Sequence, residues 1–158
     1  MKHYITIGFA LFSILLSAQS IQWLDLEQAE AEMKANPEKP LFIDFYTNWC
    51  SWCKTMDRTT FQEVEVVNYI NENFIPIKFN AEKKENVKFF GKTYKYVKPQ
   101  QGNRGVNSFA LFSLRGNLSY PAYAIMDHKG GLERVLLGYM PKDVFLERLN
   151  ADQSLHRN

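Results

Sequence analysis

The chain has only two cysteines, and both lie in Trp49-Cys50-Ser51-Trp52-Cys53-Lys54, directly after the apolar run Leu41-Phe42-Ile43-Asp44-Phe45-Tyr46. A Cys-x-x-Cys pair entering a helix at the end of a buried strand is suited to dithiol–disulfide chemistry. Unpaired N–H groups and the macrodipole at the helix N-terminus favour thiolate over thiol, which makes Cys50 the attacking sulfur. Cys53, one turn on, can reach back and displace whatever Cys50 has captured. Trp49 and Trp52 flank the pair and could offer flat apolar surface to a partner protein; Trp49 is expected to pack and Trp52 to stay exposed.

Three blander uses of two cysteines are less well served. A structural bridge between positions 50 and 53 closes so short a loop that it removes little entropy from the unfolded chain. Zinc would need about two more ligands, and His128 and His156, the histidines outside the N-terminal leader, show no ligand spacing to the pair. Haem attachment would need His after the second cysteine, where Lys54 stands. The expectation is therefore no metal and no cofactor beyond a redox-active Cys50–Cys53 disulfide.

Around this pair, 158 residues with 46% hydrophobic and 15% aromatic content suit one well-buried core. Residues 1–20 read as a signal peptide. Lys2 is the positive start, Tyr4 to Leu16 is mostly apolar and shorter than the roughly 20 residues of a membrane span, and Ala18-Gln19-Ser20 offers small residues for cleavage. The expectation is an exported, periplasmic or extracytoplasmic protein with one domain over 21–158, not membrane-spanning once mature. Loss of the leader leaves 18 basic against 17 acidic side chains. Near-neutrality argues against a nucleic-acid partner, which would demand a concentrated basic face.

The remaining elements can be placed by pattern. Asp25-Leu26-Glu27-Gln28 is an N-cap with Gln three residues on, opening a helix through Met33 with Leu26, Ala29 and Met33 on one side. Leu41 to Tyr46 is a strand covered on both faces, and Asp44 inside it must either pair with a neighbour or titrate at unusual pH. Phe61, Val64, Val67, Ile70 and Phe74 recur at helical steps. Ile75 to Asn80 is a second strand, parallel to the first, with Pro76 near its start or on an edge. From Ala81 to Asn107 the chain turns polar, with a small hairpin turning near Gly91 and a loop over Pro99 to Gly105. Phe109 to Leu114 suggests a short helix capped by Gly116. Ala122 to Met126 and Leu132 to Tyr139 form an antiparallel hairpin, and Pro141 opens a last helix with Val144, Phe145 and Leu149 inward.

This order of elements resembles the thioredoxin fold from about Lys39 to Asn150: an α/β architecture with a central mixed sheet flanked by helices. The resemblance rests on Asp44 six residues before the first cysteine, Trp49 before it, Lys54 after the second, Lys78-Phe79-Asn80, Tyr120-Pro121 and Gly138. Trp-Cys-x-Trp-Cys-Lys, Tyr-Pro and the extra segment over about 81–107 are similar to exported thioredoxin-like proteins related to the periplasmic domains of disulfide-reductant carriers. Ser51-Trp52 replaces the Gly-Pro of thioredoxin proper.

The resemblance implies that Pro121 is cis and that Tyr120 presents backbone to an extended substrate strand. It implies that Asp44 helps remove the proton from Cys53 during resolution, with Lys78 as its charge partner. The function implied is an exported thiol:disulfide oxidoreductase acting on protein thiols and disulfides, in the reducing direction, with a membrane electron carrier as donor. The reading from another class is a non-catalytic module of the same fold that holds a client chain or a soft metal.

Overall fold

The structure, a computed structural model, describes residues 20–98 and 104–151. Thus the leader expected over 1–20 lies almost wholly outside the described residues, as do 99–103 of the expected loop.

Strand β1 (Leu41–Tyr46) is the centre of the molecule. It pairs in parallel with β2 (Ile75–Asn80) and antiparallel with β7 (Ala122–Met126), and β8 (Leu132–Leu137) closes the order β2-β1-β7-β8. Side chains alternate across a strand, so β1 divides its residues between two cores. Leu41, Ile43 and Phe45 face α1 (Leu26–Ala35), α4 (Ser108–Ser113) and the hairpin of β3 (Val87–Phe89) and β4 (Lys92–Tyr94). Phe42 faces the other way, into a core built with Met56 of α2 (Ser51–Arg58), Val66, Val67 and Ile70 of α3 (Val64–Asn73), Tyr123 of β7, and Phe145 and Leu149 of α5 (Lys142–Asn150). Asp44, two residues on from Phe42, shares that second face, which the cysteine helix covers.

The edge at β2 is closed by the chain's own start. Leu24 N–H donates to the Pro76 carbonyl at 2.9 Å, and Lys78 N–H donates to the Leu24 carbonyl at 3.1 Å. Pro76 is second in an edge strand, where its missing N–H costs no ladder bond. Helix α1 begins with the expected capping box, Asp25 and Gln28 each accepting the other's backbone N–H.

Several expectations need correction. Val64 is 65% exposed and Val66 lies in the core instead, because a 3-10 turn at Thr60–Gln62 holds Phe61 and resets the helical phase before α3 begins. In α5, Val144 points outward; Phe145 and Leu149, four residues apart, make the buried stripe, and Pro141 is the N-cap rather than part of the first turn. The second strand of the β7–β8 hairpin stops at Leu137, where Gly138 takes φ 84°. At the end of α4 the left-handed residue after the cap is Arg115, φ 50°, with Gly116 next; Gly116 N–H donates to the Leu111 carbonyl, and Arg115 N–H to Phe112.

The 81–107 segment has more structure than its polarity suggested. The β3–β4 hairpin turns at Phe90-Gly91, both at positive φ, and buries Phe89 against Phe109. A second pair, β5 (Tyr96–Val97) with β6 (Val106–Asn107), forms within it, and Asn107 joins its two ends. Asn107 fixes the join: its amide donates to the Lys83 and Glu85 carbonyls, its N–H to Ala81, and its side-chain oxygen caps α4 at Phe109.

Candidate active site

The turn that follows β1 delivers Cys50 to the N-cap of α2. Its Sγ accepts the Cys53 N–H at 3.0 Å, and it is joined to the Cys53 Sγ in a disulfide. This is the placement that lowers a thiol's pKa: a helix N-terminus aims unpaired N–H groups at the sulfur. Both cysteines are only 4% exposed. Access to them is therefore controlled by what stands at the rim.

The rim is aromatic on both sides. Trp52 is 57% exposed and leans on Tyr139, ring centroids 5.3 Å apart, so it stands free as expected. Trp49, expected to pack, is 49% exposed. It is steadied instead by local contacts: its indole N–H donates to a Glu82 carboxylate oxygen at 2.9 Å, its ring meets Tyr120 edge-on at 6.1 Å, and the Arg104 guanidinium lies 4.5 Å from a ring centroid. Glu82 and Arg104 both come from the 81–107 segment. Tyr120 precedes Pro121 across a cis peptide bond, and the Pro121 carbonyl accepts the Gly138 N–H at 2.8 Å. Burial, with Glu82 adding, pushes the Tyr120 hydroxyl up to about 12, so it is neutral at physiological pH.

Beneath lies a charge cluster built on the buried Asp44. Asp44 on β1 is directly opposite Lys78 on β2 and Tyr123 on β7. The Lys78 ammonium is 3.4 Å from Asp44 Oδ2 and also contacts Asp57 of α2. Its position is further fixed by the rings of Trp23, 5.2 Å away, and Tyr46, 5.5 Å away. Asp44 is 2% exposed and its Oδ1 has no hydrogen-bond partner. Burial is the strongest influence on its carboxyl; Lys78 opposes it, Asp57 reinforces it, and the result is a pKa raised to about 7. The Tyr123 hydroxyl is likewise raised, by burial first and the two carboxylates second. A carboxyl so placed can take or give a proton near neutral pH.

The structure thus brings Asp44 and Lys78 together under the cysteine helix, and places Trp49, Trp52, Tyr120 and Pro121 in one region around the disulfide. Asp57, Trp23, Glu82, Arg104 and Tyr139 escaped the sequence reading. Only Asp57 had a signal there: four residues after Cys53, it falls on the same helical face. Among the described residues no cluster of His, Cys, Asp and Glu suited to a metal ion occurs, and no helix is long and apolar enough to cross a membrane.

Comparison with known proteins agrees with this geometry. Residues 12–121 match the thioredoxin-like DsbH family, described as a protein of unknown function, DUF255. The thiol:disulfide interchange protein DsbD of Neisseria meningitidis is 26% identical over 119 residues, 75% of this chain and 16% of that protein. This chain thus spans less than a fifth of the length of the curated relatives it matches. Among solved structures, the oxidised C-terminal domain of the same DsbD superposes with TM-score 0.53 at 25% identity, covering 79% of this chain and 90% of the domain. A DsbH oxidoreductase superposes with TM-score 0.59 at 14% identity over 96% of both chains, a likeness of fold. The fold is that of thioredoxin, and the chain belongs to the thioredoxin-like DsbH (DUF255) family.

Proposed function

We propose that this protein is an exported thiol:disulfide oxidoreductase that reduces disulfides in protein clients. The carrying observation is the Cys50 sulfur at the α2 N-cap, in a disulfide with Cys53. In the reduced enzyme the Cys50 thiolate attacks one sulfur of a client disulfide, forming a mixed disulfide and releasing the other client sulfur as a thiolate. Cys53 then attacks the Cys50 sulfur of that mixed disulfide. The second client sulfur leaves as a thiolate, and the Cys50–Cys53 disulfide returns, the enzyme's two electrons having passed to the client, which is now a dithiol. A dithiol donor, in the cell a membrane electron carrier, closes the cycle.

In this reading Asp44 accepts the Cys53 proton as that sulfur becomes nucleophilic, and Lys78 moderates the carboxylate's charge. The buried position and the pKa near 7 support the assignment, since such a group changes protonation where the enzyme works. Tyr120, before Pro121, offers backbone for an extended client strand, and Trp49 and Trp52 form the apolar contact surface. Export rests on the N-terminal pattern, with residues 1–20 as the leader and the mature domain beginning at 21. The redox disulfide is the only prosthetic chemistry this mechanism uses.

Single-cysteine variants test the reading. Cys53→Ala should accumulate a mixed disulfide with an oxidised client through Cys50, visible as a mass adduct that a dithiol removes. Cys50→Ala should form none. Adducts on both variants in equal yield, or on neither, would refute the division of roles.

A further inference from the structure

We infer that Arg104 selects clients that carry an acidic residue within about two positions of the attacked cysteine. The inference rests on the oxidoreductase reading above and concerns which polypeptide that same site accepts.

Arg104 is exposed, and its guanidinium lies over a Trp49 ring, 4.5 Å from the centroid. Among the described residues it makes no hydrogen bond and no ion pair. A guanidinium held over an aromatic ring can still receive a carboxylate through its edge N–H groups in two parallel hydrogen bonds. The nearby carboxylate that could occupy it, Glu82, is committed to the indole N–H of the same tryptophan, which it accepts at 2.9 Å. A cation is thus presented, positioned and unpaired, on the residue next to the nucleophile.

Its place relative to a bound client follows from the rim. Trp49 immediately precedes Cys50 and packs edge-on against Tyr120, whose backbone is where an extended client runs. Successive residues of an extended strand advance about 3.3 Å each, so a client side chain one or two residues from the cysteine bonded to Cys50 passes Trp49 and reaches Arg104. Lys54, also exposed and without an ion pair among the described residues, follows Cys53 and adds to the positive character of the rim. The occupant with matching charge is an acidic, cystine-bearing polypeptide segment. Arg104 belongs to the segment between β2 and the cis-proline; β5–β6 pairing braces that segment and Asn107 ties it to the chain just after β2, so its position is set by the fold.

The test uses the full mature chain, a dithiol as electron donor, and two cyclic disulfide peptides that differ only in two residues beside one cysteine, Asp-Glu in one and Lys-Lys in the other. The ratio of kcat/KM for acidic over basic peptide is read for the parent protein and for Arg104→Gln, Arg104→Glu and Arg104→Lys. An exposed charge pair should favour the acidic peptide about fivefold. Arg104→Gln should bring the ratio close to one, Arg104→Glu should invert it, Arg104→Lys, which keeps the charge but not the planar fork, should retain only part of it, and salt at about 0.5 M should compress it. A role confined to propping Trp49 would lower both rates together and leave the ratio and its salt dependence unchanged, which would overturn the inference. Equal turnover of both peptides by the parent would overturn it while leaving the oxidoreductase reading intact. Turnover of neither would bring down that reading and the inference with it.

Discussion

Replacing Asp44 by Asn should stabilise the oxidised protein, and by an amount that depends on pH in a defined way. Asp44 is buried opposite Lys78, with a pKa raised from 3.8 to about 7. The folded state therefore holds a proton that the unfolded chain has already released between those two values. Stability falls with pH wherever the folded state binds more protons, so the Asp44 contribution is intact below about pH 4, is lost progressively up to about pH 7, and stays lost above it. At 1.36 kcal/mol per unit, the shift amounts to about 4 kcal/mol at and above neutrality.

Asn keeps the size and an oxygen for Lys78, which retains Asp57 as its counter-charge, and it removes the titration. Denaturant unfolding of the oxidised parent and Asp44→Asn should give similar stabilities near about pH 4 and a gap in favour of the variant that grows to about 4 kcal/mol by about pH 8. In thermal unfolding this corresponds to a Tm difference on the order of 10 °C. The same variant should resolve mixed disulfides more slowly and lose the rise of that step through neutral pH, while capture by Cys50 is spared. Parallel stability curves across this range, or a variant that is the less stable at alkaline pH, would show that Asp44 carries no displaced proton.

Other consequences are more local. Trp52→Ala should slow turnover of protein clients several-fold and leave exchange with a small disulfide such as oxidised glutathione unchanged, because only a large partner can use the exposed Trp52–Tyr139 surface; equal effects on both would remove the contact role. Phe42→Ala should cost about 3–5 kcal/mol in denaturant unfolding, since Phe42 is fully buried and meets Trp23, Phe61, Phe74, Tyr123 and Phe145; a cost below about 1 kcal/mol would contradict the central place given to this side chain. Gly105→Ala puts a methyl 2.5 Å from the Val97 carbonyl oxygen and from the Tyr96 ring. It should destabilise by about 1–3 kcal/mol and, by shifting its neighbour Arg104, reduce any discrimination between acidic and basic clients; unaltered stability and selectivity would mean that this join does not position Arg104.

What could be read from the sequence was what local chemistry dictates. The α1 capping box, the continuous apolar run of β1, the β2 crossover and the helix-entering cysteine pair all depend on residues close together in the chain, and each appears where expected. The errors at Val64 and Val144 have a common cause. The helical stripe read from spacing runs through positions where a 3-10 turn or a cap shifts the phase. The partners of Lys78 and Trp49 were illegible for a different reason. Trp23 reaches Lys78 because the segment before α1 pairs with the β2 edge, and Arg104 reaches Trp49 because β5 and β6 pair across the 81–107 segment. Such long-range pairings leave no periodicity behind. Trp49 was expected to pack, yet its partners are one hydrogen bond, one edge contact and one cation, which leave it half open to solvent.

The most direct test of the central claim is the redox equilibrium of Cys50 and Cys53 in graded glutathione buffers, with free sulfurs counted by thiol trapping on the mature protein. The account predicts one two-electron transition between zero and two free thiols, at a potential near or below about −270 mV, as a reductant of client disulfides requires. A transition nearer about −120 mV would make the protein a disulfide donor, and a pair that never cycles would contradict the redox account altogether.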